Sequence, residues 1–214
     1  MPGALAALGA LATGYLLGSL PVGLIAGRLT RGVDLREEGS GRTGATNALR
    51  TLGPRAAAVV LVLDVAKGAL AVWIGSALGN GADPALAAWL PSVGGLAAVI
   101  GHLRSVFIGF RGGRGVAPSA GALLLLSPLT LAVLLPVMAA VVWRTRYVSL
   151  GSVIAAAIAI PVTAAAAWLG AVGWPAAAFA ATAGTLVIWA HRDNLDRLRA
   201  GTERRLGQPA GSGP

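Results

Sequence analysis

Residues 116–146 read VAPSAGALLLLSPLTLAVLLPVMAAVVWRTR, and the first 28 of them carry no charged side chain. Apolar runs of this length are typical of helices that cross the hydrocarbon core of a membrane, which needs about 20 residues. Ser127 and Pro128 interrupt the run near its middle, and proline continues a helix only at a high cost. The stretch is therefore either one long membrane helix or two short helices joined by a tight turn.

The rest of the chain has the same apolar character. Of its 214 residues, 56% are hydrophobic and 12% are charged, whereas an ordinary soluble domain has about 25% charged residues. This composition excludes a soluble globular enzyme and a disordered chain. The apolar runs predict membrane spans at residues 3–29, 56–79, 87–110, 116–143, 148–170 and 174–190.

The distribution of positive charge decides between one helix and two in the fourth span. If the chain turns at Ser127-Pro128, 16 of the 17 basic residues fall on one side of the membrane, and Lys67 lies within a span. A single long helix would place Arg144, Arg146 and the basic tail across the bilayer from the other arginines. Positive residues concentrate in cytoplasmic loops. We therefore predict an all-α polytopic membrane protein with seven transmembrane helices, its N-terminus outside and its C-terminus in the cytoplasm.

The net charge of +9 would suit nucleic-acid binding in a soluble protein. Here the basic residues lie between apolar runs and form no nucleic-acid-binding motif, so we expect no nucleic-acid partner. The sequence contains no cysteine and no cluster of histidine and acidic residues with metal-ligand spacing, so we expect no metal and no cofactor. We predict one membrane domain over residues 1–206 and a disordered tail over residues 207–214.

The segment between the first and second spans reads GSGRTGATN over residues 39–47. Its glycines allow backbone N–H groups to turn toward a common point, and its hydroxyls add donors, so the segment can form an anion cradle. The segment also leads toward the N-terminus of the second span, which favours an anion. A flexible connector is the alternative. The candidate residues are Gly39, Ser40, Gly41, Arg42, Thr43, Gly44, Thr46 and Asn47, with Arg50 shortly after them.

Two further segments on the same predicted side carry candidate phosphate ligands. Residues 101–115 read GHLRSVFIGFRGGRG, in which Arg111 and Arg114 flank the pair Gly112-Gly113. Guanidinium groups fork onto two phosphate oxygens, although topological anchoring also explains arginines in a short loop. We expect His102 in the same segment to lie near or within the third helix, well before its end.

The third segment, residues 191–203, reads HRDNLDRLRAGTE. His191 and Asn194 would share one face of a continuing helix. An amphipathic helix at the membrane surface is the alternative reading of this segment.

Asp64 and Lys67 stand three residues apart, roughly 12–16 Å into the second span, so each can neutralise the other. Ionisable residues inside a membrane are costly, and the pair is either functional or structural. The segments together predict a site for one or more phosphates next to lipid.

In combination and in this order, the segments resemble the motifs of the bacterial acyl-phosphate:glycerol-3-phosphate acyltransferases, integral membrane enzymes of phospholipid synthesis. The resemblance runs from Gly14 to Gly207 and also includes YLLGSLPVG (15–23), DVAKG (64–68) and RYVSLGS (146–152). It implies seven helices with the motif loops in the cytoplasm of a bacterial cell. The implied reaction transfers the acyl group of a fatty acyl-phosphate to the 1-hydroxyl of glycerol 3-phosphate, giving lysophosphatidic acid and phosphate.

The resemblance also implies roles for individual residues. Ser40 and the glycine backbone after it would cradle the acyl-phosphate, with Gly112, Gly113 and Arg114 near the phosphates. The family needs no protein base, because a substrate phosphate can take the proton, and His191 as a base is a separate hypothesis. The expected partners are the two substrates and membrane lipid around a monomer. The implied glycerol-phosphate contacts are Arg50, Arg111, Ser149, His191 and Asn194.

Two other functions stay open at this point. The chain departs from the family pattern at Arg42 (usually Asn), at Arg104-Ser105 (usually Phe-Pro), and at Arg111 and Arg114 (usually Lys), so it could be an inactive relative. A transporter of small organic anions would also have several transmembrane helices and a surface that binds phosphate groups. The absence of an internal repeat and the one-sided polar motifs favour an enzyme.

Overall fold

The computed structural model describes residues 3–208, and that part of the chain is helical, as predicted. Residues 209–214 of the predicted tail lie outside the described range, so the domain limit at residue 206 stays a prediction. The helices are α1 (Gly3–Ser19), α2 (Val22–Arg31), α3 (Ala45–Thr51), α4 (Pro54–Leu78), α5 (Pro84–Leu103), α6 (Val116–Leu126), α7 (Pro128–Thr145), α8 (Val148–Trp168), α9 (Trp174–Ala190) and α10 (Arg192–Arg199).

Five helical segments among residues 3–208 are long and apolar enough to cross a membrane: Gly3–Arg31, α4, α5, α7 and α8. Two further apolar helices, α6 and α9, are shorter. With 11 residues, α6 is only about 16 Å long. The fold is thus that of a polytopic membrane protein.

The predicted turn at Ser127-Pro128 is confirmed, because α6 ends at Leu126 and α7 begins at Pro128. The hydroxyl oxygens of Ser127 and Thr130 lie 2.7 Å apart, and those of Thr130 and Thr163 lie 3.1 Å apart. Thr163 also donates a hydrogen bond to the Ala159 carbonyl at 2.7 Å. All three hydroxyl side chains are fully buried. The turn is therefore fastened to α8 by a polar network inside an apolar bundle.

The first predicted span, residues 3–29, is not one helix. It breaks at Leu20-Pro21 into α1 and α2, since Pro21 has no N–H to continue the hydrogen-bond ladder. The Leu20 carbonyl instead accepts a hydrogen bond from Lys67 Nζ at 3.2 Å.

The third predicted span, residues 87–110, is also wrong at its end, because α5 stops at Leu103. Side chains tie the following residues to α1: Tyr15 donates to the Arg104 carbonyl at 2.7 Å, and Ser105 donates to the Ser19 carbonyl at 2.5 Å. Residues 104–115 form a compact loop in which Ser105 pairs with Arg111 in an antiparallel bridge. His102 consequently lies in the last turn of α5, not well inside it.

Close packing of α1 on α5 and of α4 on α6 depends on glycines that face other backbones. A side chain on Gly18 in α1 would clash with the Ala98 backbone in α5, and one on Gly68 in α4 would clash with the Pro118 carbonyl in α6. α9 packs on α5 and on α8, and α8 packs on α7. The helices α6 to α9 surround an apolar space.

The pairing of Asp64 and Lys67 is confirmed, with Lys67 Nζ 2.8 Å from Asp64 Oδ1. His102 Nδ1 of α5 lies 2.8 Å from the same Nζ. All three side chains are buried. Lys67 thereby links α4 to α5 and to the break between α1 and α2.

Candidate anion-binding site

The polar segments of the sequence converge at one end of the helices. Arg42 Nη2, in the loop before α3, lies 3.3 Å from Asp193 Oδ2 of α10. Arg50 donates to the Arg204 carbonyl at 3.2 Å, and Ser149 at the start of α8 donates to Glu203. The loop of residues 39–47, the start of α8 and residues 191–204 therefore form one surface.

Glu203 organises this surface. Its Oε1 accepts hydrogen bonds from Ser149 Oγ at 2.8 Å and from Asn194 Nδ2 at 2.6 Å, and its Oε2 accepts from Arg197 Nε at 2.8 Å. Burial opposes ionisation, but the three hydrogen bonds outweigh it and hold the pKa of Glu203 below its usual value. The buried carboxylate is thus ionised at neutral pH.

Glu203 and Arg197 are site residues that the sequence reasoning missed. The available signal was Glu203 itself, a lone acid close to Arg197, Arg199 and Arg204. Two predicted contacts, Ser149 and Asn194, already bind Glu203. Asn194 Oδ1, however, is buried with no hydrogen-bond partner among the described residues.

The surroundings of Glu203 carry an excess of positive charge. Burial, followed by the charges of Arg42 and Arg197, lowers the pKa of Arg114 to about 10, and burial also lowers the pKa of Arg50. With a pKa of about 10, Arg114 stays protonated at neutral pH. Within residues 3–208, the buried nitrogens Arg50 Nε, Arg114 Nε and Arg204 Nη1 have no acceptor. Buried donors in native proteins nearly always have a partner, so these nitrogens point to an anionic ligand. We call Arg42, Arg50, Arg114, Arg197 and Arg204 the arginine cluster.

The loop of residues 39–47 is ordered by Asn47, so it is not a flexible connector. The buried Asn47 amide donates to the carbonyls of Leu35, Glu38 and Arg42 at 2.9–3.0 Å, and its Oδ1 accepts from Ser40 N at 3.0 Å. Asn47 therefore shapes the loop and has no free donor. Positive φ angles at Gly39 (+58°) and Gly41 (+66°) allow the two turns that this shape needs.

The remaining donors of this loop have no partner among the described hydrogen bonds. The N–H groups of Ser40 and Gly41 bond within the loop. Across the described hydrogen bonds, the N–H groups of residues 42–46 have no acceptor, nor do the hydroxyls of Ser40, Thr43 and Thr46. Gly44 is extended (φ −82°) and precedes the separate short helix α3, which the sequence did not predict.

The glycine pair of the second segment is explained by packing. Gly113 N donates to the His102 carbonyl at 3.0 Å. A side chain on Gly112 would meet that carbonyl, and a side chain on Gly113 would meet the His102 ring. Both glycines are buried. They hold the loop against α5 and so fix the position of Arg114.

The two arginines of this segment differ. Arg114 lies beside Arg42, Arg197 and Glu203, whose charges act on its pKa. Arg111 is exposed, and no side-chain hydrogen bond or ion pair described for residues 3–208 includes it. The structure therefore brings Arg114, and not Arg111, into the arginine cluster.

His191 stands between α9 and α10, at the edge of the cluster. Its Nδ1 lies 2.8 Å from the Val187 carbonyl, so this nitrogen carries the hydrogen and Nε2 presents a lone pair. Burial lowers the pKa of His191 to about 4, and the positive charge of Arg114 adds to this shift. The ring is a neutral hydrogen-bond acceptor at physiological pH.

The residues that depart from the motif pattern have partners of their own. Arg42 pairs with Asp193, and the Arg104 guanidinium lies 5.4 Å from the centre of the Trp189 ring. Ser105 bonds to α1, as described above. None of these departures removes the ordered loop or the arginine cluster.

The family model and the named relatives that match this chain carry the same description. A family model described as glycerol-3-phosphate acyltransferase matches residues 8–201. The chain is 45% identical to a glycerol-3-phosphate acyltransferase of Gloeobacter violaceus, covering 95% of this chain and 97% of the relative. It is 46% identical to the enzyme of that name from Thermus thermophilus, covering 95% and 96%.

Two crystal structures of PlsY, an integral membrane glycerol 3-phosphate acyltransferase, are similar to this chain over nearly their whole length. The glycerol 3-phosphate form has a TM-score of 0.83 and 36% identity, covering 94% of this chain and 96% of that one. The lysophosphatidic acid form has a TM-score of 0.81 and 35% identity, covering 94% and 95%.

Proposed function

We propose, since the chain belongs to the glycerol-3-phosphate acyltransferase family, that it transfers the acyl group of a fatty acyl-phosphate to the 1-hydroxyl of glycerol 3-phosphate. The products are lysophosphatidic acid and phosphate, in the first committed step of phospholipid synthesis. The observation that carries this proposal is the arginine cluster, whose buried nitrogens on Arg50, Arg114 and Arg204 lack acceptors within residues 3–208. Phosphate oxygens supply such acceptors.

The loop of residues 39–47 is the proposed site of the acyl-phosphate. The free N–H groups of residues 42–46 and the hydroxyls of Ser40, Thr43 and Thr46 suit phosphate oxygens. This anchor would fix the carbonyl carbon for attack. The donor already carries phosphate as its leaving group, so the reaction needs no nucleophile from the protein.

The arginine cluster is the proposed site of glycerol 3-phosphate. Arg50 and Arg114 would bind the phosphate, with Arg111 reaching it from the exposed side of the loop. His191 Nε2 would accept a hydrogen bond from the 1-hydroxyl, and Asn194 Oδ1 would bind a glycerol hydroxyl. Ser149 and Glu203 would hold Asn194 in place.

In the proposed reaction, the 1-hydroxyl oxygen of the acceptor attacks the carbonyl carbon of the donor. A C–O ester bond forms, the bond from carbon to the phosphate oxygen breaks, and phosphate leaves with the electron pair. The leaving phosphate takes the hydroxyl proton, because a group with a pKa near 4, such as His191, is a weak base at pH 7. Catalysis then rests on orientation and on charge stabilisation at the carbonyl.

The donor is tested with purified protein in detergent. Palmitoyl phosphate and glycerol 3-phosphate should give lysophosphatidic acid and one equivalent of phosphate, whereas palmitoyl-CoA should give no product, because no described segment is suited to an adenine or a carrier protein. Equal turnover from palmitoyl-CoA would contradict the proposed donor. Transport of glycerol 3-phosphate into proteoliposomes without acylation would show a transporter instead.

The neutral state of His191 predicts a pH dependence of stability. The folded-state pKa of about 4 lies below the ordinary value of 6.5, so the unfolded chain binds more protons between these pH values. Stability should fall by roughly 3 kcal/mol as the pH drops from 6.5 to 4 and be independent of His191 above pH 7. His191→Asn, which keeps a donor for Val187, should reduce this slope in thermal denaturation. Equal slopes for the two proteins would mean that His191 has an ordinary pKa.

The proposed topology has seven crossings, with the arginine cluster in the cytoplasm. The turn at Ser127 and the grouping of basic residues at one end support it. The chain has no native cysteine, so single cysteines can be labelled from either side of sealed vesicles. Cysteines at Asn80 and Leu129 should react only from outside, and those at Thr145 and Thr202 only from the cytoplasm. Reaction of Thr145→Cys from outside would contradict the hairpin of α6 and α7.

A further inference from the structure

The buried ion pair of Asp64 and Lys67 has no part in the reaction proposed above. Lys67 Nζ lies 2.8 Å from Asp64 Oδ1 and 2.8 Å from His102 Nδ1, and it donates to the Leu20 carbonyl at 3.2 Å. Both charged side chains are buried. Charges inside a membrane are costly and often functional, so the contacts of this ammonium indicate what it stabilises.

The contact with His102 leads to the acceptor site. An ammonium group has only donors, so His102 Nδ1 accepts the hydrogen bond from Lys67. The carbonyl of the same histidine accepts from Gly113 N at 3.0 Å. A side chain on Gly113 would meet the His102 ring, so the ring lies directly against this glycine. Arg114 of the arginine cluster is the next residue, and the position of His102 therefore constrains it.

The contact with Leu20 leads to the donor loop of residues 39–47. Lys67 binds the Leu20 carbonyl at the break between α1 and α2. On α2, a side chain at Gly23 would meet the Thr43 carbonyl, so this helix lies directly against the donor loop. The contact from Lys67 to Leu20 therefore fixes the start of the helix against which the donor loop packs.

The two loops also meet at one narrow gap in the protein. Thr43 of the donor loop and Gly112 of the second loop both line this gap, and so do Leu20, Asp64 and His102. The partners of Lys67 thus lie between the two proposed phosphate sites. Acyl transfer needs the acceptor oxygen about 3–3.5 Å from the donor carbonyl carbon, and a misplacement of about 1 Å can cost about 100-fold in rate. The spacing of the two loops is therefore decisive for the rate.

We propose that Lys67 is a positioning residue, which sets the spacing between the donor loop and Arg114 through its bonds to Leu20 and His102. Asp64 neutralises the ammonium inside the membrane. The proposal rests on the proposed function, because it assigns the two ends of this spacing to the donor and to the acceptor. It adds a residue that touches neither substrate and still controls how they meet.

Two variants of His102 with similar size test the contact on the acceptor side. His102→Leu removes the acceptor for Lys67, whereas the amide oxygen of His102→Asn can replace Nδ1. With palmitoyl phosphate and glycerol 3-phosphate, kcat should fall about 100-fold in His102→Leu and recover in part in His102→Asn. The KM for palmitoyl phosphate should stay unchanged in both, because the donor loop keeps its own contacts. Equal kcat values for the two variants would overturn the proposal.

A charge-free variant tests Lys67 itself. Asp64→Asn combined with Lys67→Met removes both charges, so no lone charge is left to prevent insertion, and kcat should again fall about 100-fold. The matched control is Thr163→Val, which removes a buried hydroxyl 14 residues after Ser149 on α8, about 21 Å from the site. This control should lower the denaturation midpoint and leave kcat unchanged. A normal kcat in the charge-free variant, or an equal loss in the control, would overturn the positioning role.

A distance measurement separates this proposal from the reaction. The chain has no cysteine, so spin labels can be placed on Glu37→Cys and Phe107→Cys, which are exposed positions on the two sides of the gap. In electron paramagnetic resonance, the distance distribution between the labels should shift or broaden with Asp64→Asn/Lys67→Met and stay the same with Thr163→Val. An unchanged distribution in the charge-free variant would overturn the proposal. A changed distribution in a protein that transfers no acyl group would overturn the proposed function alone.

Discussion

Arg114→Ala should lower kcat/KM for glycerol 3-phosphate by roughly 30- to 3,000-fold, the cost of removing one partner from a buried charged contact. The side chain is held beside Glu203 and Arg197 by a loop that the glycine pair fastens to His102. Its buried Nε has no acceptor within the described residues, which is the arrangement expected of a ligand donor. Initial rates over a range of glycerol 3-phosphate concentrations measure the effect.

Arg111→Ala is the matched control for this prediction. The two arginines share one loop and one charge, but Arg111 is exposed, so its loss should cost less than the loss of Arg114. Arg114→Lys should recover part of the activity, because lysine keeps the charge and loses the fork of donors. If Arg111→Ala proved the more damaging change, the phosphate would lie on the outer side of the loop.

Glu203→Ala should be the most destabilising single change at the site. It would leave Arg197 without its partner. The side-chain donors of Ser149 and Asn194 would also lose their acceptor inside the protein. Glu203 is buried but the Arg197 side chain is 40% exposed, so the cost should lie below the about 3–5 kcal/mol of a fully buried pair. A loss of about 2 kcal/mol corresponds to a decrease of roughly 4–8 °C in the denaturation midpoint. Thermal denaturation in detergent measures this, and activity should fall with it, since Asn194 loses its orientation.

The control is Asp196→Asn, which removes an acid from the same segment. Asp196 and Arg199 form a pair with side chains that are 73% and 77% exposed, and such surface pairs contribute about 0–1 kcal/mol. Equal denaturation midpoints for Glu203→Ala and Asp196→Asn would show that the buried carboxylate does not hold the site together.

The sequence predicted the helical class and the turn at Ser127 because these depend on local signals. An uncharged run of residues is visible without any knowledge of its neighbours, and so is a proline in its middle. The grouping of arginines likewise depends on composition, and it identified the segments that meet at one end.

Several of the errors came from contacts that the local sequence pattern does not show. Val106 to Phe110 are mostly apolar, so the third span was extended through them. In the structure, the bonds from Tyr15 and Ser105 to the backbone stop α5 at Leu103. Glu203 was overlooked for the same reason, because its partners lie 54, nine and six residues away. The difference between Arg111 and Arg114 depends on how Gly112 and Gly113 pack on His102, which no local pattern shows.

The ion pair of Asp64 and Lys67 has a consequence for how the chain enters the bilayer. α4 is apolar enough to cross a membrane, yet each charge near a helix centre costs about 2.5–3.5 kcal/mol on insertion scales. The two side chains offset each other within α4, but Lys67 finds its other partners on Leu20 and on His102 of α5. α4 therefore reaches its full set of contacts only after α5 has been synthesised. We therefore expect α1, α4 and α5 to enter the lipid together during membrane insertion.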